Sequence, residues 1–217
     1  MIRYGIVEIV YQYMLYYTNL EKWPIQCLNI IYMTKVMTNR GTRLVSARIL
    51  KKICVLGDFA VGKTSMIRRY VLDEFDDRYI TTLGTKITKK TISLDGRELT
   101  FQIWDIVGNI KFTKIQGQYY QGSDGAFIIF DVTRRDTFDN VSKWANNFLE
   151  VAKGAKLIFI ANKVDLESIF DYETMMADLA KTYDAVSFRT SAKTGAHVED
   201  AFQSLGKMII TGKEKKS

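Results

Sequence analysis

Three residue types are scarce in this sequence. Its 217 residues include two cysteines, one histidine and one proline. Cys27 and Cys54 are far apart, and Cys54 lies within an apolar run, so neither a disulfide framework nor a Cys/His metal site is indicated. We predict that Cys54 is a reduced, buried thiol. His197 lies in a glycine-containing connection, where we expect a surface or hydrogen-bonded role, so any chemistry must proceed without a histidine base.

A long uninterrupted apolar run is also missing. Residues 1–36 are rich in Tyr, Ile, Val and Met, but acidic and basic residues and Pro24 interrupt them short of the roughly 18 apolar residues that a membrane-spanning helix needs. The segment has neither the strongly basic start nor the small-residue cleavage site of a secretory signal, so we do not expect one. The segment is an amphipathic or interfacial helix, packs on the domain, or lies upstream of a true start at Met33 or Met37. The last two interpretations are favoured.

The excess of positive charge lies at the two ends of the chain. The net charge is +7, yet residues 53–206 hold 19 lysines and arginines against 21 aspartates and glutamates, a balance of about −2. Basic ends are usually solvated, and the functional alternative is weak attraction to an anionic membrane or protein surface. Nucleic acid is not an expected partner, because the central part is slightly acidic and its aromatic residues are not interleaved with basic ones.

Strand and helix patterns alternate along the rest of the chain. Asp95 and Gly96 join two alternating runs and predict a type I′ hairpin. Continuous apolar strands between helices are typical of an α/β fold, and we predict a six-stranded, mostly parallel sheet with one antiparallel hairpin strand and helices on both faces. The predicted strands are 51–56, 86–94, 98–105, 126–130, 156–160 and 185–188. The predicted helices are 65–72, 138–152 (capped by Asp136 or Thr137), 172–182 and 198–210, with a loop-rich stretch at 106–123.

Three parts of the chain follow from these patterns. Residues 1–47 form an amino-terminal extension, residues 48–211 form the globular domain, and residues 212–217 form a basic tail. A domain of this length and composition can bury a sizeable core.

A phosphate-binding loop is predicted at residues 57–64. The segment follows the apolar run 53–56 and opens into a helix near Ser65. In the pattern G-x-x-x-x-G-K-[ST], backbone N–H groups surround phosphates, a lysine reaches the β- and γ-phosphates, and a hydroxyl binds Mg²⁺. The four residues that the pattern requires are Gly57, Gly62, Lys63 and Thr64.

Two later segments predict which base is bound. The sequence Asn-Lys-Val-Asp at 162–165 follows one apolar strand, and Ser-Ala-Lys at 191–193 follows the next. Asp165 can accept hydrogen bonds from the ring N–H and the exocyclic amine of guanine, whereas adenine would leave the carboxylate unpaired. In a parallel sheet, ligands lie beyond the carboxyl ends of the strands, so we expect the loops at Gly57, Asp105, Asn162 and Ser191 to converge.

With these motifs the chain resembles the Ras-like small GTPases, and most closely their Rab branch. The resemblance covers about residues 49–210 and rests on segments 57–64, 79–84, 103–108, 119–122, 130–133, 137–138 with Trp144, 162–165 and 191–193. It implies a P-loop G domain that binds GTP or GDP with Mg²⁺ and acts as a molecular switch.

The resemblance also implies roles for individual residues. The hydroxyls of Thr64 and Thr82 would bind Mg²⁺, and Asp105 would hold a metal-bound water. Phe75 and the Lys163 stem would pack on guanine. The Ala192 N–H would donate a hydrogen bond to the guanine carbonyl oxygen. The implied catalytic set is Asn109, Lys63, Thr82 and Gly108, the last through its N–H to the γ-phosphate. The implied nucleotide-binding set is Gly57, Asp58, Phe59, Ala60, Val61, Gly62, Lys63, Thr64, Ser65, Phe75, Tyr79, Thr82, Gly108, Asn162, Lys163, Asp165, Ser191, Ala192 and Lys193.

Three departures from the family pattern predict slow GTP hydrolysis. Asn109 replaces the glutamine that orients water, Phe59 stands where the family has a small residue, and Val107 replaces an alanine. The chain is therefore expected to be a slow GTPase, and the alternative is a GTP-binding interaction module that does not hydrolyse. Thr82 and Gly108 would hold the loops 76–84 and 106–120 only while a γ-phosphate is present.

The expected partners are effector, exchange-factor or GAP-like proteins. They would bind through residues 76–84 and 106–122 of a monomer. The sequence ends without a prenylatable cysteine, so we expect a cytoplasmic protein with at most weak, salt-sensitive peripheral contact with a membrane.

Overall fold

The computed structural model describes residues 49–75, 85–108 and 114–214. Its strands are β1 (Ile49–Leu56), β2 (Thr85–Leu94), β3 (Arg97–Ile106), β4 (Gly125–Asp131), β5 (Lys156–Asn162) and β6 (Val186–Thr190). Its helices are α1 (Lys63–Leu72), α2 (Lys114–Tyr120), α3 (Arg135–Asp139), α4 (Val141–Val151), α5 (Tyr172–Thr182) and α6 (Val198–Glu214). The predicted extension, residues 1–47, lies outside the described residues, and its role stays a prediction.

The six strands form one sheet in the order β2-β3-β1-β4-β5-β6. Only the β2/β3 pair is antiparallel, and the other neighbours are parallel. The hairpin between β2 and β3 turns at Asp95 and Gly96, both at positive φ (49° and 77°), as a type I′ turn requires. The fold class, the antiparallel hairpin strand and its turn are confirmed.

Apolar clusters cover both faces of the sheet. On one face Val55 and Phe127 pack with Phe202 of α6 and with α1. On the other, Cys54 and Phe130 pack with residues of α4 and α5. Alternation along β1 sends successive side chains to opposite clusters, as the two-residue period of a strand dictates. Cys54 is a buried free thiol, as predicted, and burial raises its pKa to about 11.

The predicted helix 138–152 is two helices, α3 and α4, which meet at Asn140. The predicted cap was wrong, because Asp136 and Thr137 lie inside α3. Thr137 is buried, and its Oγ1 accepts a hydrogen bond from the Asp131 N–H at 3.0 Å and donates one to the Arg134 carbonyl at 2.7 Å. Its hydroxyl therefore ties the helix to the end of β4 rather than capping it.

Two other boundaries differ from the predictions. The stretch 106–123 contains the helix α2, which the sequence pattern did not reveal. The last helix continues through Glu214, so the first residues assigned to the basic tail are helical. Among the described residues, no helix combines the length and the apolar character that crossing a membrane requires.

Candidate functional site

Residues 57–62 form a loop between β1 and α1 in which two glycines are required. Gly57 and Gly62 have φ of 136° and 98°, in the region that favours glycine. A Cβ on Gly57 would meet the Ile129 carbonyl oxygen, and one on Gly62 would meet Asn162 Nδ2. The N-cap of α1 is Gly62, which has no side chain to cap the first N–H groups of the helix. An uncapped helix start behind a glycine loop favours an anion, so the loop is suited to phosphate.

Lys63 is the first residue of α1 and is buried within this loop. Its Nζ donates hydrogen bonds to the carbonyl oxygens of Gly57 (2.8 Å) and Asp58 (2.7 Å). Burial lowers its pKa to about 8, an effect that Asp105 and Asp58 oppose and that Arg134 reinforces. Its two acceptors among the described residues are neutral carbonyls, and a phosphate would supply a negatively charged acceptor to this buried ammonium.

Asp105 and Thr64 meet beside the loop and could hold a divalent cation. The Thr64 hydroxyl donates to Asp105 Oδ2 at 2.6 Å, while the buried Asp105 Oδ1 has no hydrogen-bond partner among the described residues. Burial raises the Asp105 pKa, and Thr64 and Lys63 partly oppose this effect. The described residues contain no group of three His, Cys, Asp or Glu side chains able to hold a metal. One carboxylate and one hydroxyl fit Mg²⁺, which takes oxygen ligands and is commonly bound through a few protein groups plus phosphates and water.

Asn162, at the end of β5, links the phosphate loop to the loop after β6. Its Nδ2 donates to the Val61 carbonyl at 2.8 Å, and its Oδ1 accepts from Thr190 Oγ1 at 3.1 Å and from the Ala192 N–H at 3.2 Å. The side chain is fully buried. The Ala192 N–H, which the resemblance assigns to the guanine carbonyl, is therefore engaged with Asn162, and a base would have to share or replace that bond.

Asp165 and Ser191 form the second pair that the sequence predicted. The Ser191 hydroxyl donates to Asp165 Oδ1 at 2.5 Å and accepts from the Thr194 N–H at 3.1 Å. Asp165 is exposed, whereas Ser191 is buried. Lys163, at a positive φ of 68°, pairs with the buried Asp131 at 2.6 Å. The exposed carboxylate is thus held in place and can accept two N–H groups from a planar base.

The remaining predicted residues are distributed as follows. Gly108 follows β3 and lies against the phosphate loop, where an added Cβ would come within 2.6 Å of both the Asp58 carbonyl oxygen and Lys63 Nζ. Phe75 packs partly buried against the core, and the Phe59 side chain is 51% exposed. Ala60 is at a positive φ of 63°. Ser65 lies in α1 and Lys193 is exposed in the loop after β6. Tyr79, Thr82 and Asn109 lie outside the described residues.

Hydrogen bonds between distant parts of the chain orient this site, and the sequence patterns did not predict them. Arg69 of α1 donates from Nε to the Ala192 carbonyl (3.0 Å) and from Nη2 to the Lys193 carbonyl (2.6 Å). Asp58 accepts hydrogen bonds from Asn140 and Trp144 on the α3–α4 segment. These partners lie 82 to 124 residues away in sequence, and no local pattern signals them.

Comparisons with known proteins agree with this geometry. The family model described as the Ras family matches residues 52–211. The Ras-related protein Rab-13 of Bos taurus is 34% identical over 163 residues, which cover 74% of this chain and 80% of that protein. Rab-8B of Homo sapiens is 34% identical over 169 residues (77% and 82%), and Rab-11C of Dictyostelium discoideum is 35% identical over 161 residues (73% and 72%).

Proposed function

The chain belongs to the Ras family of small GTPases, with Rab proteins among its relatives, and we propose that it is a slowly hydrolysing GTP/GDP switch that recruits protein partners while GTP is bound. Family membership supports GTP binding and GTPase activity in general. The slow rate, the residue roles and the recruitment of partners are our proposals.

The observation that carries the proposal is the junction of a phosphate site with a base site. Lys63 and the uncapped start of α1 face the same loop that Asn162 ties to the Ala192 backbone. Asp165 and Ser191 belong to the two segments that flank this junction. One nucleoside phosphate can therefore reach both ends, with the ammonium at its phosphates and the carboxylate at its base.

Mg²⁺ fits the pair formed by Thr64 and Asp105, and when bound it neutralises phosphate charge and orients the phosphate oxygens. Lys63 would add a second positive charge at the β- and γ-phosphates. Gly108 leaves room beside Lys63 where any side chain would collide, which supports its proposed N–H contact with the γ-phosphate. These groups position and stabilise charge, and they require no histidine base.

Slow hydrolysis is supported by Phe59 and by the residue at position 109. Phosphoryl transfer in this class depends on an oriented water and on added positive charge, and an inserted arginine alone is worth about 10³ to 10⁵ in rate. Phe59 lies within the phosphate loop and is half-exposed, and we propose that its ring hinders the approach of such an arginine. Asn109 is one methylene shorter than the glutamine of the family pattern. The alternative is a module that binds GTP and does not hydrolyse it.

Single-turnover hydrolysis tests this proposal. Purified protein loaded with GTP should release phosphate slowly, and the double variant Asn109→Gln with Phe59→Ser should be faster by about 10-fold or more. Absence of GDP from the native protein after many hours, with activity only in the double variant, would establish the non-hydrolysing alternative. Failure of both proteins to bind guanine nucleotides would reject the switch altogether.

Partner recruitment is proposed for residues 76–84 and 106–122 of a monomer. A γ-phosphate held by Thr82 and Gly108 would order both segments, so a partner that binds them would sense the nucleotide. We further propose a cytoplasmic protein whose membrane contact, if present, is peripheral and salt-sensitive. Pull-down from extract with GTP-loaded and GDP-loaded protein should retain partners selectively on the GTP form. Equal retention on both forms would contradict the switch.

A further inference from the structure

Asp58 places a carboxylate inside the phosphate loop itself. A negative charge at this position repels a triphosphate and attracts the ammonium that should bind it. Both carboxylate oxygens are nevertheless held by neutral donors. Trp144 Nε1 donates to Oδ1 at 2.7 Å, and Asn140 Nδ2 donates to Oδ2 at 2.8 Å.

Both donors belong to the segment that follows β4. Asn140 lies at the junction of α3 and α4, and Trp144, in the first turn of α4, is only 2% exposed, so its indole is fixed by packing. A third hydrogen bond supports the same attachment, because Arg134 Nη2 donates to the Phe59 carbonyl at 3.0 Å. The outer part of the phosphate loop is therefore fastened to residues 134–144 at three points.

Lys63 shows what the carboxylate could do if it were released. Its Nζ donates to the Asp58 backbone carbonyl at 2.7 Å, so the ammonium already lies next to this residue. The Asp58 charge already acts on this lysine, because it raises the Lys63 pKa against the effect of burial. A released carboxylate would form an ion pair with Lys63 and compete with phosphate.

We propose that Asn140 and Trp144 are positioning residues that hold the Asp58 carboxylate away from Lys63 and from the bound phosphates. This inference rests on the proposed function, since it concerns the same nucleotide site. It assigns the α3–α4 junction a part in phosphate affinity although neither side chain is expected to touch the nucleotide. Loss of either donor should weaken the binding of GTP more than the binding of GDP, because the γ-phosphate of GTP brings more negative charge close to Lys63.

A double-mutant cycle with Asp58 tests the proposal. Asn140→Ala should weaken GTP affinity by about 10-fold, the size expected for a hydrogen bond to a charged group. In the Asp58→Ala background the same substitution should have no further effect. Asn146→Ala provides the matched control, because Asn146 lies on α4, close to Asn140 in sequence, and accepts a hydrogen bond from Tyr183 instead.

Trp144→Phe separates positioning from packing. This substitution should lower the melting temperature in both backgrounds, because the indole packs in the core, but it should lower GTP affinity only while Asp58 is present. Equal losses of affinity with and without Asp58, or equal losses for GTP and GDP, would overturn the proposal. So would unchanged affinity in both single variants. A native protein that binds neither nucleotide would instead reject the proposed function, and the two failures are thus distinguishable.

Discussion

The two ends of the candidate site are built in different ways. At the phosphate end, the charged groups Lys63 and Asp105 are buried. Burial lowers the pKa of Lys63 and raises that of Asp105, which in both cases favours the neutral form. At the base end, Asp165 and Lys193 are exposed, and Asp165 is held by a serine hydroxyl. Among the described residues, the two acceptors recorded for Lys63 Nζ are neutral carbonyls and Asp105 Oδ1 has no hydrogen-bond partner, whereas the carboxylate of the base end is already hydrogen-bonded.

The two ends should therefore respond to different properties of a nucleotide. Buried charges respond to the number and charge of the phosphates. An oriented carboxylate responds to the donors on the base. We therefore expect variants of the two ends to differ when their affinities for the di- and triphosphates of guanosine and xanthosine are compared. Variants of the phosphate end should change the dependence on phosphate number, and variants of the base end should change the dependence on the base.

Asp165→Asn should give the largest effect. An amide at this position donates where the carboxylate accepted, so the preference for guanosine over xanthosine nucleotides should fall by at least about 10³-fold. The change should be the same for diphosphates and triphosphates. Competition binding with the four nucleotides measures it, and an unchanged preference for GTP would contradict the assignment of the base end.

Lys63→Met should lower affinity for every nucleotide by about 100-fold or more, because it removes the buried counter-charge of the phosphates. The loss should grow with phosphate number and should not depend on the base. Lys153→Met is the control, since that lysine is exposed in the turn after α4 and lies outside the predicted site. If the loss of affinity differed between guanosine and xanthosine nucleotides, Lys63 would also influence base recognition, and the proposed separation of roles between the two ends would be wrong.

The pH dependence of stability should reveal the buried lysine. The Lys63 pKa is about 8 in the fold against 10.5 for an ordinary lysine, so between these values the unfolded chain binds more protons and stability rises with pH. Relative to Lys63→Met, the nucleotide-free protein should gain up to about 3 kcal/mol in free energy of unfolding across this interval. Chemical denaturation at several pH values measures the gain. With nucleotide bound the gain should shrink, because phosphate then stabilises the charged ammonium.

Ser191→Ala should give the smallest effect. The hydroxyl orients Asp165, and its loss should lower selectivity for guanine by about 5- to 10-fold. GTP and GDP should be affected equally. Ser93→Ala on the exposed surface of β2 is the matched control. An effect on GTP alone would show that the serine also serves the phosphate end.

Much of the fold could be predicted because its signals are local. Asp95 and Gly96 specify their turn by backbone conformation, and the periodic run over α5 gave that helix its correct bounds, Tyr172–Thr182. The break at Asn140 could not be predicted in this way. An amphipathic pattern continues through it, and the residue that marks it is engaged by Asp58, 82 positions earlier.

The sequence predicted residues of the candidate site but not the hydrogen bonds among them. The loop pattern identified Lys63 and Thr64, and the structure adds that Thr64 bonds Asp105 directly. Asn162 was assigned to the nucleotide, and that role stays a prediction; the structure adds that its amide bonds the Val61 and Ala192 backbones. Such a role depends on which loops lie next to each other in space, information that a linear pattern does not contain. Thr82 and Asn109 lie outside the described residues and remain predictions.

The buried amide of Asn162 bears on how long a nucleotide stays bound. By joining the Val61 and Ala192 backbones, it fixes the distance between the two ends before any ligand arrives. A ligand that has released one end remains held at the other, and the fixed spacing keeps the free end at a high effective concentration near its site. Dissociation then requires both ends to open together. We therefore expect the residence time of the nucleotide, and with it the duration of the proposed GTP-bound state, to depend on this one side chain that solvent does not reach.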